Sequence, residues 1–223
     1  MDAYKRMYLR MMSQFLREGF DPGALGARIE QLANLIRPHV QADPNKPYTN
    51  AQFETAISAS ATAASAIVPF IRNRHAFLRS YLDAQAAATD IRLDELVTVN
   101  AGALRDEAGE ADPWVKLYNP GPGPATIGGI YLTDDPAEPT KWAVPARRLA
   151  DGEHLLVWLD GQASQGETHA SFRAPAAGGT LYLYSTAVGL HAPLDRVTYG
   201  ELTAGQSFRR VGLLGNQWVI ASE

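Results

Sequence analysis

The chain has 223 residues, 46% of them hydrophobic and 20% charged, with a net charge of −4. That composition excludes a disordered polymer and offers no general attraction to nucleic acid or anionic lipid. Cysteine is absent, which excludes disulfides, Cys-based zinc sites and thiol catalysis.

The opening stretch, MDAYKRMYLRMMSQFL, is too polar for the apolar region of a signal peptide, and no run of about 18 apolar residues follows that would span a membrane. Tyr4, Tyr8, Met11 and Phe15 recur every three or four residues, which predicts a helix with those four on one face. Lys5, Arg6, Arg10 and Arg17 fill its other faces. Asp21 and Pro22 supply an N-cap and a first-turn proline for a second helix, whose apolar stripe is Leu25, Ile29, Leu32, Ile36 and Val40. After the turn-rich ADPNKPYTN, Thr49 and Gln52 fit a capping box that opens a short third helix. The Ser/Ala stretch at 58–66 reads as a hinge. A fourth helix follows with Ile67, Phe70, Ile71, Phe77, Leu78, Tyr81 and Leu82 as its apolar positions, and Pro69 belongs in its first turn.

Near residue 88 the composition changes. All four Trp and 16 of the 19 Gly come after it, and the net charge is +3 before it and −7 after it. The period also falls to two. IRLDELVTVN, DPWVKLYN, EHLLVWLDG, GGTLYLYST, LDRVTYG, QSFRRVG and NQWVIA read as short strands between Gly, Pro, Asp and Asn turns. In the first of them Glu95 interrupts the apolar side Ile91, Leu93, Val97 and Val99. Strands in such number argue a β-sandwich. The predicted fold is therefore α+β in two parts, a helical segment over 1–88 and an all-β sandwich over 89–223.

Candidate sites are few. Asp106, Glu107, Glu110 and Asp112 could bind Ca²⁺ through carboxylate oxygens, although the spacing does not fit an EF-hand loop. GPGPATIGG at 121–129 has neither the Walker ending nor the G-x-G-x-x-G spacing and reads as turn chemistry. The five His form no zinc motif, and GQASQG is not a nucleophile elbow. Asp134 and Asp135 adjoin Pro136 in a turn, where neighbouring carboxylates point apart. In DPWVKLYNPGPGP strict alternation sends Val115 and Leu117 to the core and Trp114, Lys116 and Tyr118 to the other face, with Asn119 to Pro124 turning the chain. If those three side chains are exposed together, they offer a partner-binding patch. Exposed Trp residues would also suit carbohydrate, because sugar rings stack on flat aromatics. The cations on the first helix are better read as a solvated face than as a nucleic-acid site, given the −7 of the second half.

IRLDELVTVN, DEAGEADPWVKLYNPG, IGGIYLTDDPAEPTKWAVP, LADGEHLLVWLDG and GTLYLYS, in that order, resemble the bacterial form of the lamin tail domain over about 90–223. The resemblance implies an immunoglobulin-like sandwich that serves as a binding or accessory module of a larger protein. One departure is Lys116, where the family usually carries an acidic residue. YKRMYLRMMSQFL, IEQLANLIRPHVQADPNKPYTNAQFE and IVPFIRNRHAFLRSYL are similar to the C-terminal end of CotH-type spore-coat kinase-like proteins. That likeness begins partway through the family's pattern, so the upstream ATP-binding and catalytic residues have no counterpart here and the chain is expected to be a piece of a longer protein.

Together the resemblances imply a non-catalytic interaction module without a bound cofactor, unless the acidic loop takes Ca²⁺. They also imply an extracellular or cell-envelope setting and a protein or envelope component as partner. The open readings are a carbohydrate- or Ca²⁺-binding sandwich, and a fragment of a CotH-like kinase lacking its core. The stripe Tyr4, Tyr8, Met11, Phe15 is expected to fold onto the second and fourth helices or to make a homodimer contact.

Overall fold

Four helices precede eleven strands in the computed structural model, which describes residues 3–63, 66–85, 90–211, 215 and 217–222. The helices are α1 (Ala3–Glu18), α2 (Pro22–Ala42), α3 (Asn50–Ile57) and α4 (Ile67–Asp83). Two compact units result, one of residues Met12–Ala84 and one of Gln85–Glu223 together with Met1–Met11.

In the helical unit the local signals act as their chemistry requires. Asp21 caps α2 by accepting from the Ala24 N–H at 2.7 Å. The capping box of α3 is complete: Thr49 Oγ1 accepts from the Gln52 N–H at 3.1 Å, and Gln52 Oε1 accepts from the Thr49 N–H at 2.8 Å. Pro69 lies buried in the first turn of α4. Arg37 ties α2 to α3, with its Nε 2.9 Å from Glu54 Oε1. The apolar stripes fare differently. Leu32 and Ile36 of the α2 stripe and Ile67, Phe70, Phe77 and Tyr81 of α4 are exposed, whereas Leu25, Ile29, Val40 and Leu78 are half-buried and Ile71 and Leu82 are buried. The expected face of α1 is exposed as well, with Tyr4 77%, Tyr8 60% and Phe15 54% accessible. The side chains that pack are Leu9, Ser13 and Leu16, a second stripe of the same helical spacing. The stripe expected to be covered is therefore largely accessible.

The described residues of the β unit form three sheets. One has five strands in the order β11-β10-β1-β2-β7, one has four in the order β5-β4-β8-β9, and β3 and β6 form a pair. The larger sheet comprises β1 (Arg92–Val97), β2 (Trp114–Tyr118), β7 (His154–Trp158), β10 (Gln206–Val211) and β11 (Gln217–Ser222). The four-stranded sheet comprises β4 (Ile130–Thr133), β5 (Trp142–Ala143), β8 (Gly179–Ser185) and β9 (Asp195–Tyr199), and the pair is β3 (Ala125–Thr126) with β6 (Arg148–Leu149). All pairings between these strands are antiparallel. Val115, Leu117, Leu155 and Val157 from the larger sheet meet Leu132, Leu181, Leu183 and Val197 from the smaller one in a single core. Each such buried side chain contributes about 1.5–3 kcal/mol. The predicted two-part α+β fold with a β-sandwich is the observed one.

Glu95 is explained by register. The β1–β2 pairing shifts between Leu93 and Glu95, leaving Asp94 as the extra residue of a bulge. One inserted residue exchanges the two faces of a strand. Leu93 and Leu96 therefore both enter the core, while Glu95 turns to the other face, where its Oε2 accepts from Lys116 Nζ at 2.7 Å.

Candidate functional site

Trp114, the first residue of β2, pairs with Trp158, the last residue of β7, and also with Val97, the last residue of β1. The loop before β2 (98–113) and the loop after β7 (159–178) consequently leave the sheet at the same end. This register brings distant polar residues together.

The first loop is shaped by its own carboxylate. Asp106 Oδ1 accepts from the Glu110 N–H at 2.7 Å, and the Asp106 N–H donates to the Glu110 carbonyl at 3.1 Å. Gly109 sits between them at φ 81°, a conformation that suits glycine. In the second loop Asp160 Oδ1 accepts from the Gln162 N–H at 2.8 Å, and Asp160 Oδ2 lies 2.5 Å from His169 Nδ1. The Leu159 N–H donates to the Pro113 carbonyl at 2.7 Å, and three side-chain contacts also join the loops. His169 Nε2 is 3.1 Å from Glu107 Oε2, Gln165 Nε2 donates to Glu110 Oε2 at 3.0 Å, and Arg173 Nη1 donates to Asp112 Oδ1 at 2.8 Å.

His169 is 1% exposed, and its ring stacks on Trp158 at 6.3 Å. Burial alone opposes protonation of the ring, but the hydrogen bonds to Asp160 and Glu107 outweigh it and raise the imidazole pKa above its ordinary value. Glu107 is held below the usual carboxylate range, first by its own backbone N–H and then by His169. Among the described residues, two sets of side chains bring their ligand atoms within 4.8 Å of one another: Asp106 with Glu110 and Asp112, and Asp106 with Asp160 and His169.

All four acids singled out in the sequence thus lie at one end of the sheet, and Asp106 belongs to both sets. Asp160, Gln165, His169 and Arg173 were not anticipated. The only sign of them in the sequence is a polar stretch after an apolar strand, and their relevance depends on β7 being the neighbour of β2.

The trio Trp114, Lys116 and Tyr118 does share the face opposite the main core, but it is not exposed together. Trp114 is 2% exposed because Trp158, Val97 and the half-buried Leu156 pack around it. Lys116 Nζ lies 4.9 Å from the Trp114 ring centroid while bound to Glu95. Tyr118 is half-buried, stacked on His154 at 4.4 Å. No flat aromatic patch results. Trp142 and Trp158 are also buried, and half-buried Trp218 is flanked by Phe208 and Arg210. Three of the four cations of α1 are engaged: Arg6 and Arg10 reach Asp90 Oδ1 at 3.3 and 2.6 Å, and Arg17 donates to Ser13. Asp134 and Asp135 form a turn, with Lys141 2.8 Å from Asp134.

The GPGP turn is buried rather than exposed at a rim. Pro120, Gly121, Pro122 and Gly123 are all shielded from solvent. A buried turn needs partners for its backbone groups, and Asn119, 2% exposed, supplies them. Its Oδ1 accepts from the Gly121 N–H at 3.0 Å, and its Nδ2 faces the carbonyls of Gly123, Leu149 and Ala150 at 2.9, 3.1 and 2.9 Å.

Residues 1–78 match the family described as CotH kinase protein. The helical segment is CotH-like. The match ends within α4 and leaves the β unit outside it. No curated protein and no solved structure matches the chain.

Proposed function

We propose that this chain is a non-catalytic accessory module of a larger, envelope-associated bacterial protein. In this reading a CotH-like helical segment carries a lamin-tail-like, immunoglobulin-type sandwich that engages a protein or envelope component. The observation that carries it is the exposed apolar surface of the helices. Tyr4, Tyr8 and Phe15 of α1 are more than half accessible, and Leu35, Phe70 and Phe77 are equally open. Large apolar side chains exposed in such number mark a surface that another protein covers. The order of the lamin-tail-like motifs along strands β1, β2, β4, β7 and β8 supports the second part of the reading. The carbohydrate alternative is not favoured, because three of the four Trp are buried and the fourth is already stacked.

The purified chain, incubated with labelled ATP and Mg²⁺, is expected to transfer no phosphate to itself or to a generic acceptor. Turnover that follows the purified protein through a second column would overturn the non-catalytic reading. Light scattering examines the helical surface separately. Self-association that disappears in the triple variant Tyr4→Gln, Tyr8→Gln, Phe15→Gln identifies a second copy as the occupant, and a wild-type monomer at all concentrations removes the homodimer.

A further inference from the structure

Where the two loops meet, five carboxylates (Asp106, Glu107, Glu110, Asp112 and Asp160) gather around two groups able to carry positive charge, Arg173 and His169. Like charges within a few ångströms raise the energy of their ionised forms unless a cation joins them. An acidic cluster alone does not make a site, since solvent can screen it. Here, however, two oxygens are shut away from solvent. Asp106 is half-buried as a residue, but its carboxylate is enclosed, and Oδ2 is buried and accepts no hydrogen bond. Gln165 is not an acid, yet its Oε1 is buried and lacks a donor in the same way.

The orientation of the Gln165 amide is fixed by its neighbours. Its Nε2 donates to Glu110 Oε2 at 3.0 Å and also to Gln162 Oε1. Turning the amide over would press its carbonyl against the Glu110 carboxylate. Both unsatisfied atoms are therefore acceptors, and each costs free energy while it stays unpaired. What completes two enclosed oxygens beside surplus carboxylates is a cation.

We propose that this end of the sandwich is a Ca²⁺ site, with Asp106 Oδ2 and the Gln165 side-chain carbonyl as its inner ligands and the Glu110 and Asp112 carboxylates beside them. The donors are all oxygen, of mixed charge, and carried on loops rather than on rigid strands. Ca²⁺ accepts such sets, whereas Mg²⁺ requires near-ideal octahedral geometry. Zn²⁺ would look to Asp106, Asp160 and His169, but both ring nitrogens of His169 are already engaged, one of them with Asp160 at 2.5 Å. Glu107, paired with His169, stands outside the ligand set. The site goes beyond the accessory-module reading and does not depend on it.

The test is calorimetric and thermal titration of the full chain, first stripped with chelator, against CaCl₂. Saturable heat with half-saturation on the order of 0.1–1 mM is expected, as in extracellular Ca²⁺ modules. The melting temperature should climb with the logarithm of Ca²⁺ concentration. Asp106→Asn keeps the Oδ1 bond to the Glu110 N–H and is expected to weaken binding about tenfold or more, since it removes one ligand charge. Gln165→Leu should weaken it without changing the charge. No heat and no thermal shift at about 10 mM Ca²⁺ would overturn the proposal. So would an Asp106→Asn protein that titrates like wild type, or a response to Zn²⁺ or Mg²⁺ with none to Ca²⁺. The wild-type titration decides the matter even if a variant fails to fold.

Discussion

Replacing Asn119 with alanine tests the claim that one side chain holds the GPGP turn together. The substitution removes the acceptor of the Gly121 N–H and the donor facing the Gly123, Leu149 and Ala150 carbonyls. An amide nitrogen has two hydrogens, so the three carbonyls share two bonds, and the oxygen makes a third. Three buried hydrogen bonds at about 1 kcal/mol each give a loss of about 3 kcal/mol. For a unit of this size each kcal/mol moves the midpoint by about 3–4 °C, so the melting temperature should fall by about 10 °C. Asn119→Asp sharpens the comparison. It keeps an oxygen toward Gly121 but sets a second oxygen against three carbonyls, in a site only 2% exposed. Burial and carbonyl repulsion raise the folded pKa of the introduced acid above its unfolded value. Its penalty is then absent below the unfolded pKa, grows between the two values and is complete above the folded one. At pH 7 the Asp variant should melt below the Ala variant, and the gap should shrink toward pH 4. Calorimetric melts of the three proteins measure this. An Ala variant within about 2 °C of wild type, or an Asp variant indifferent to pH, would refute the argument that buried turns need their backbone satisfied.

Lys116→Glu places a like charge opposite Glu95 and removes the cation from the Trp114 ring, at an expected cost of about 1–2 kcal/mol. Adding Glu95→Lys should recover the ion-pair share but not the ring contact, a double-mutant cycle readable in urea melts. His169 carries a pH signature. Burial opposes its charge and the bonds to Asp160 and Glu107 override that, so its folded pKa lies above the unfolded value. The stabilisation is complete below the unfolded pKa of about 6.5 and is lost as pH rises through the folded value. Measured in chelator, the melting gap between wild type and His169→Gln should therefore narrow from pH 6 to pH 9, and a gap that widens contradicts the pairing.

The strands were legible because their side chains alternate against one sheet face, and Val115, Leu117, Leu181 and Leu183 lie in the core where alternation puts them. What alternation could not show is a change of phase. The bulge at Asp94 makes Leu96 a core residue and Glu95 a partner of Lys116, and its one mark in IRLDELVTVN is that Glu95 breaks the apolar side. The bulge also gives Lys116 a physical account: an acid on β1 opposite a base on β2 is a cross-strand pair in which each side's choice depends on the other's. The helices were legible in extent but not in face. Two stripes on α1 have helical spacing, and the bulkier aromatic one is exposed while Leu9, Ser13 and Leu16 pack. Periodicity says that a helix has an apolar side; the partner decides which side is used.

The site was half legible for a related reason. Acidic residues crowded at 106–112 are visible in any reading, but whether they are a solvated hairpin or a site depends on what faces them. The facing residues come from 55 to 62 positions further along the chain, brought there because β2 and β7 pair with Trp114 opposite Trp158. That same pairing buries Trp114 and withdraws it from the exposed patch its composition suggested. One register thus converts an aromatic that looked like a binding surface into a support, and converts a polar loop that looked like linker into the opposite wall of an acidic cluster. Sequence could name the first loop because its residue types are unusual. It could not name the second, because glutamine, histidine and arginine in a loop are ordinary until a strand pairing gives them carboxylates to face.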